Sequence, residues 1–351
     1  MSDRGTRRGG RESRRRMMKT ALVASTLAFW AFALCGELGA QGPAAPRNQL
    51  PPPEKGGFTL RADVNLVLVE ATVRDDKGRI VDNLQPEDFH VFEDGVEQKI
   101  VAFSRDELPL AVALVVDGSS SISPVLGELH RAAYDTLAQL KPEDQVALYA
   151  FAAHPERLVD LTTDRKSIAD SIMGIGSTGG TNIADALHEA IEYLGQEARD
   201  RRHAVIMISD NQPTAKGEFN GDGVVRLALE TQTIVYSVRF GRGSLEGTVD
   251  EPGWIPGARW VNKIMLETGG EIMDVGAVGS VQKAMAAVIT RLKERYTLGY
   301  QSSNTQHDRA FRTIDVRLSD RAQNSKHSYR IFARHGYYPA LESAPPAKPA
   351  P

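Results

Sequence analysis

Only one cysteine, Cys35, occurs in the 351 residues, and it lies near the amino terminus. A disulfide framework is excluded, so stability has to come from a packed core. Long hydrophobic runs are also missing. The longest, Ala21 to Leu34, has fourteen residues, short of the roughly 20 that a membrane-spanning helix needs. Basic residues are not in excess, with 42 Lys and Arg against 45 Asp and Glu, which argues against a nucleic-acid or anionic-membrane partner. TGGT at 178–181 resembles a phosphate cradle, but no Gly-Lys-Ser/Thr step accompanies it, which argues against a nucleotide loop, and no Gly-x-Ser-x-Gly elbow marks a hydrolase serine.

What is present is an ordinary globular balance, 41% hydrophobic and 25% charged, behind an unusual start. Residues 1–19 carry eight Lys or Arg, the fourteen-residue run follows, and small residues close the segment at Ala40. That order is the layout of a secretory signal, with a retained anchor as the alternative. Ser13 to Lys19, SRRRMMK, is similar to a twin-arginine signal, and Cys35 follows Leu34 where a lipoprotein signal prefers a small residue. Export to the periplasm, the cell envelope or the medium is expected, with no integral membrane segment after cleavage. Removing residues 1–40, with eight basic and three acidic groups, takes the net charge from −3 to −8.

Residues 41–57 are a Pro/Gly linker, and 339–351 form a Pro/Ala tail that cannot bury a core. Between them, period-2 apolar positions from Val64 to Ala71 and two short runs joined through Asp94-Gly95 predict a three- or four-stranded β unit over 58–106. From 107 to 295, continuous apolar strands alternate with amphipathic helices. Strands are expected at 110–116, 146–151, 203–208, 233–240 and 271–275. One helix, over 124–140, puts Leu129, Ala133 and Leu137 on a single face, and another follows a cap at Thr163. The expected fold class is α/β, a doubly wound, mainly parallel sheet with a small flanking β domain. Three further strands over 296–338 have no helices between them and are expected to pair with the first β unit.

Ligands of open α/β sheets bind at the carboxyl ends of strands. Three loops there carry matching oxygen groups: Asp117-Gly118-Ser119-Ser120-Ser121, then Thr178, Thr181 and Asn182 in GSTGGTN, then Ser209-Asp210-Asn211. Carboxylates and hydroxyls without thiol or obligatory imidazole favour a hard cation, Mg²⁺, Mn²⁺ or Ca²⁺. Taken alone, DGSSS is equally a Ser/Gly loop with Asp capping a helix. Asp164 and Asp222 read as caps or exposed loop residues, and His154, His188 and His203 as surface or helix-end residues. Trp254 and Trp260 could form a recognition loop or anchor a long loop to the core.

DGSSS at the first strand end, with Thr181 in STGGTNIADAL and Asp210 in VIMISDN, resembles the von Willebrand factor type A domain. The resemblance covers about 107–295. It implies a metal-ion-dependent adhesion site in which Ser119 and Ser121 coordinate through hydroxyls. Asp117 and Asp210 would bind directly or through water, as would Thr181. It also implies an open metal position taken by an Asp or Glu of a protein partner, and no catalysis. Asn211 departs from the pattern, since glycine usually follows that aspartate. The alternatives are a metal-assisted hydrolase, which would need a base near the cation, and a constitutive structural subunit of an envelope complex.

Overall fold

A computed structural model describes residues 66–105, 108–119, 125–176, 179–241, 259–306, 308–323 and 328–339. The signal, the linker, the tail from 340, Ser120, Ser121, Thr178 and Trp254 lie outside the described residues. The first strands are β1 (Leu66–Arg74), β2 (Phe89–Glu93), β3 (Val96–Gln98) and β4 (Ile100–Ser104). Asp94 and Gly95 both take positive φ, +49° and +81°, the backbone a two-residue hairpin turn demands, and Glu93 pairs with Val96 across it. The apolar run after the turn is cut at Lys99, so β3 and β4 enter different sheets.

The α/β unit follows: β5 (Leu110–Asp117), α1 (Leu126–Leu137), β6 (Gln145–Phe151), β7 (Pro155–Thr162), α2 (Arg165–Ile172), α3 (Ile183–Glu197), β8 (Arg202–Ser209), α4 (Gly221–Glu230), β9 (Ile234–Arg239), α5 (Arg259–Thr268), β10 (Ile272–Asp274), α6 (Val275–Val278) and α7 (Val281–Lys293). Its sheet runs β10-β9-β8-β5-β6-β7, parallel throughout except for the antiparallel edge pair β6·β7. All eight residues of β5 are buried, because both faces are covered. Val112, Leu114 and Val116 point to one core, under α1, α2 and α7, while Ala111, Ala113 and Val115 point to the other, under α3, α4 and α5. The cap of α2 is Asp164, whose carboxylate accepts from Lys166 N and Ser167 N, rather than Thr163. Among the described residues no helix is long and apolar enough to cross a membrane.

The chain returns to β structure with β11 (Tyr296–Gln301), β12 (Arg312–Leu318), β13 (Arg330–Ala333) and β14 (Gly336–Tyr337). One four-stranded sheet is ordered β13-β1-β11-β4, and the other β14-β12-β2-β3. Each mixes strands from before and after the α/β unit, and Val69, Phe89, Val91, Tyr296, Leu298 and Val316 share the core between them.

The Gly269-Gly270 pair closes α5 against this sandwich. Gly269 ends the helix at φ +78°, and a Cβ there would lie 2.6 Å from the Ala333 carbonyl carbon. A Cβ on Gly270 would fall 1.9 Å from the Val235 carbonyl oxygen in β9, against rigid backbone. Gly270→Ala is therefore expected to cost at least about 1–3 kcal/mol, read as a lowered urea midpoint with an unchanged slope.

Candidate metal centre

The connection leaving β5 goes to α1 on one face of the sheet, and that leaving β8 goes to α4 on the other. The crevice between their carboxyl ends is thus the point at which the winding reverses. Asp117 ends β5 in that crevice and is fully buried. Its Oδ1 accepts the Ser119 N–H at 2.8 Å, and its Oδ2 accepts the Ser209 hydroxyl at 2.7 Å from the end of β8. Burial, above all, pushes the Asp117 carboxyl upward, and the neighbouring Asp210 carboxylate adds to the push, against the bonds from Ser119 and Ser209.

Gly118 follows because nothing larger fits: a Cβ there would stand 2.9 Å from the Gly176 carbonyl oxygen. Gly176 thus lies directly against the first loop. Thr181 is buried and tied to the third loop. Its N–H donates to Thr214 Oγ1 at 2.8 Å, and its carbonyl accepts the N–H groups of Thr214 and Ala215 at 3.0 and 3.2 Å. Asn182 caps α3 through Asp185 N and donates its own amide to Asp185 Oδ2. Asp185 also receives the N–H groups of Phe219 and Glu218. Burial pushes that carboxyl up, but these donors outweigh it and hold it below its ordinary range.

Asp210 is half-buried and accepts the Gln212 N–H at 2.9 Å, a local turn that steers the loop back. Asn211, the departure from the expected glycine, sits at φ +60°. Asparagine is among the few non-glycine residues that enter the left-handed region readily, so the substitution keeps the turn. Its side-chain oxygen accepts the Ser237 hydroxyl at 2.8 Å from β9, which locks the loop to the sheet.

Asp117, Ser119, Thr181 and Asp210 therefore come from three loops at one switch point, while Ser121 lies outside the described residues. Ser237 escaped the sequence reading, and Ser209, read there only as one of the loop oxygens, orients Asp117. Ser237 anchors Asn211 from inside β9, where its only sequence signal is a hydroxyl within an otherwise apolar run. Among the described residues no group of three or more His, Cys, Asp or Glu side chains is positioned to hold a metal. The donors gathered here are two carboxylates and hydroxyls, one carboxylate buried in the field of the other, a set suited to a hard cation.

His154 lies in the turn between β6 and β7, at the same edge of the sheet as Asp117, while His203 and His188 stand apart from this chemistry. His203 lies at the opposite end of the sheet, in register with Ala111, and both its ring nitrogens contact backbone carbonyls of Thr231 and Ala198. His188 stacks flat on Phe219 at 3.4 Å. Trp260 is half-buried in α5 and packs on Gly221, where a Cβ would meet the indole at 2.2 Å, so it is an anchor. Asp222 pairs with Lys263 at 3.2 Å.

Residues 112–212 match the family model of the von Willebrand factor type A domain. A cattle protein (Bos taurus), inter-alpha-trypsin inhibitor heavy chain H4, is 26% identical over 201 residues, which cover 53% of this chain and 20% of that protein. The chain thus spans about a fifth of this relative's length. Among solved structures, proximal thread matrix protein 1 of the mussel byssus, with a zinc-occupied MIDAS motif, is 18% identical at a TM-score of 0.44, covering 58% of this chain and 50% of its own. The conserved hypothetical protein BatB of Bacteroides thetaiotaomicron is 20% identical at a TM-score of 0.41, covering 52% of this chain and 97% of its own.

Proposed function

Given that the chain carries a von Willebrand factor type A domain, we propose that it is an exported, non-catalytic binding module that recognises a protein partner through a divalent cation. Asp117, Ser119, Ser121, Thr181 and Asp210 would hold the ion, Mg²⁺ first and Mn²⁺ or Ca²⁺ as substitutes. The observation that carries this reading is Asp117 itself: a fully buried carboxylate, destabilised by burial and by Asp210, at the switch point of the sheet. A cation there would neutralise both carboxylates and offer a remaining position to an Asp or Glu of the partner. The protein's own part is to hold the oxygens in place. Ser209 and the Ser119 backbone fix Asp117, the Thr214 straps fix Thr181, and Asn211 fixes the turn beside Asp210. Metal-assisted hydrolysis would need a general base beside the ion. His203 is at the far end of the sheet, and His188 is packed against Phe219.

The test is retention of proteins from an envelope extract on the immobilised full chain, in Mg²⁺, in EDTA, and with Asp117→Ala in Mg²⁺. A partner captured in the first condition and lost in the other two is the expected result. An identical set of captured proteins in all three would overturn metal-dependent recognition.

A further inference from the structure

Excess positive charge is buried where the α/β unit meets the β sandwich. The Glu70 carboxylate of β1 receives two bonds from Arg202 of β8 and lies 3.7 Å from Arg295. Burial would push Glu70 up, but Arg202, Arg295 and then Arg334 overcome it and hold it below its ordinary range. Three guanidinium groups thus share one carboxylate. A second cluster four residues further along β1 repeats the imbalance, with Arg74 and Arg291 both on Glu271. Charge removed from water without a counter-ion is costly, so an excess of this kind calls for an anion.

A cavity of about 380 Å³ opens beside the first cluster, within the size range of small-ligand pockets and at a junction of two folding units. Arg199, Arg201, Arg202 and Arg334 line it. Of its two acids, Glu70 is spent on Arg202, and Glu230 is paired with Arg226 at 2.8 Å. Arg334 is 8% exposed. One of its nitrogens donates to the Leu68 carbonyl at 2.7 Å, while its Nε and Nη1 have no hydrogen-bond partner. Leu68, Leu108, Leu229 and Ile234 form an apolar part of the wall beside several threonines, and Leu68 and Leu108 are 40% and 58% exposed. The residues around it, Leu108, His203 and Ile234, lie at or before the amino-terminal ends of the parallel strands, opposite Asp117.

We propose that this cavity binds a small amphipathic anion, a single carboxylate or phosphate group on an apolar body, with the anionic group directed to Arg334 and Arg199 and the body against Leu68, Leu108 and Leu229. A planar guanidinium suits either oxyanion. The site is separate from the proposed metal centre and does not depend on it.

Calorimetry on the full chain with octanoate, octyl phosphate, octanol and inorganic phosphate tests the proposal. One or both amphipathic anions should bind one per chain, at least tenfold more tightly than octanol or inorganic phosphate, and equally with Mg²⁺ or EDTA present. Which of the two binds identifies the headgroup. Leu108→Asp, at an exposed position where no packing is lost, should weaken binding at least tenfold by repelling the anion. Arg334→Met should do the same, and if it fails to fold, Leu108→Asp alone decides. Absence of binding by both anions, octanol or inorganic phosphate binding as tightly as they do, or wild-type affinity in Leu108→Asp would overturn the assignment.

Discussion

Asp117→Ala is expected to remove all of the stabilisation that Mg²⁺ gives the chelator-stripped protein. A ligand that binds only the folded state stabilises it by about 2.7 kcal/mol at a hundredfold excess over Kd, and the variant should gain nothing at the same concentration. The loss is complete because the site offers only two carboxylates, and Asp210 with the hydroxyls cannot by itself compensate the dehydration of a divalent ion. Asp117→Asn separates charge from shape, since its amide oxygen can still accept the Ser119 N–H. The sign of its effect on the metal-free protein follows from the raised carboxyl. Such a group contributes stability fully below its unfolded value, near the ordinary 3.8, and loses it as pH rises through the higher folded value. At neutral pH the raised Asp117 carboxyl is therefore a burden without metal, and Asp117→Asn should melt higher than wild type in EDTA while failing to respond to Mg²⁺. Ser209→Ala, which removes the donor to Oδ2 and the acceptor of the Asn211 N–H, should weaken the metal by about 10–100-fold and leave the fold intact. A wild-type Mg²⁺ response in Asp117→Ala would remove the site from this crevice.

Much of this crevice was legible because its chemistry lies at strand ends. β5 reads as an unbroken apolar run because helices cover both its faces, and the first polar residue after such a run must be where the strand leaves the sheet. Thr181 and Asp210 were legible for the same reason, each following an apolar or glycine-rich segment that ends at the same edge. The antiparallel edge strand β7 was not. Its residues are mostly half-buried, and PERLVDLT offers neither a continuous apolar run nor a clean alternation. The breaks at Lys99 and at Arg334-His335 were also hidden, because a strand that switches sheets keeps its alternating pattern on both sides of the switch. The arginine clusters at the seam could not be read at all. Glu70 and Arg202 are 132 residues apart, and Arg74 and Glu271 are 197 apart, so nothing local distinguishes them from a solvated surface.

The same long range makes Glu93→Ala the most damaging substitution expected in the β sandwich. Glu93 ends β2 with its side chain 1% exposed. It accepts the Tyr300 hydroxyl of β11 at 2.7 Å, the Tyr337 hydroxyl of β14 at 3.0 Å and the Ser302 hydroxyl, and it faces Arg312 of β12 at 3.5 Å. Burial first, and Glu93 next, push the Tyr300 phenol up, so it remains a donor throughout the accessible pH range. One carboxylate therefore satisfies groups from both sheets, and its strand and theirs lie on opposite sides of the α/β unit in the sequence. Alanine would leave Arg312, 4% exposed, without its buried counter-ion and the Tyr300 and Tyr337 hydroxyls without their acceptor. Breaking a buried pair in this way costs about 3–5 kcal/mol, a large part of the 5–15 kcal/mol that holds a typical domain together. Glu93→Gln keeps an oxygen for the hydroxyls but not the charge, so it should fall between the two. The order wild type, glutamine, alanine in urea midpoints is the expected result. Equal midpoints for glutamine and alanine would mean that the Arg312 charge, and not the hydroxyl acceptors, sets the cost.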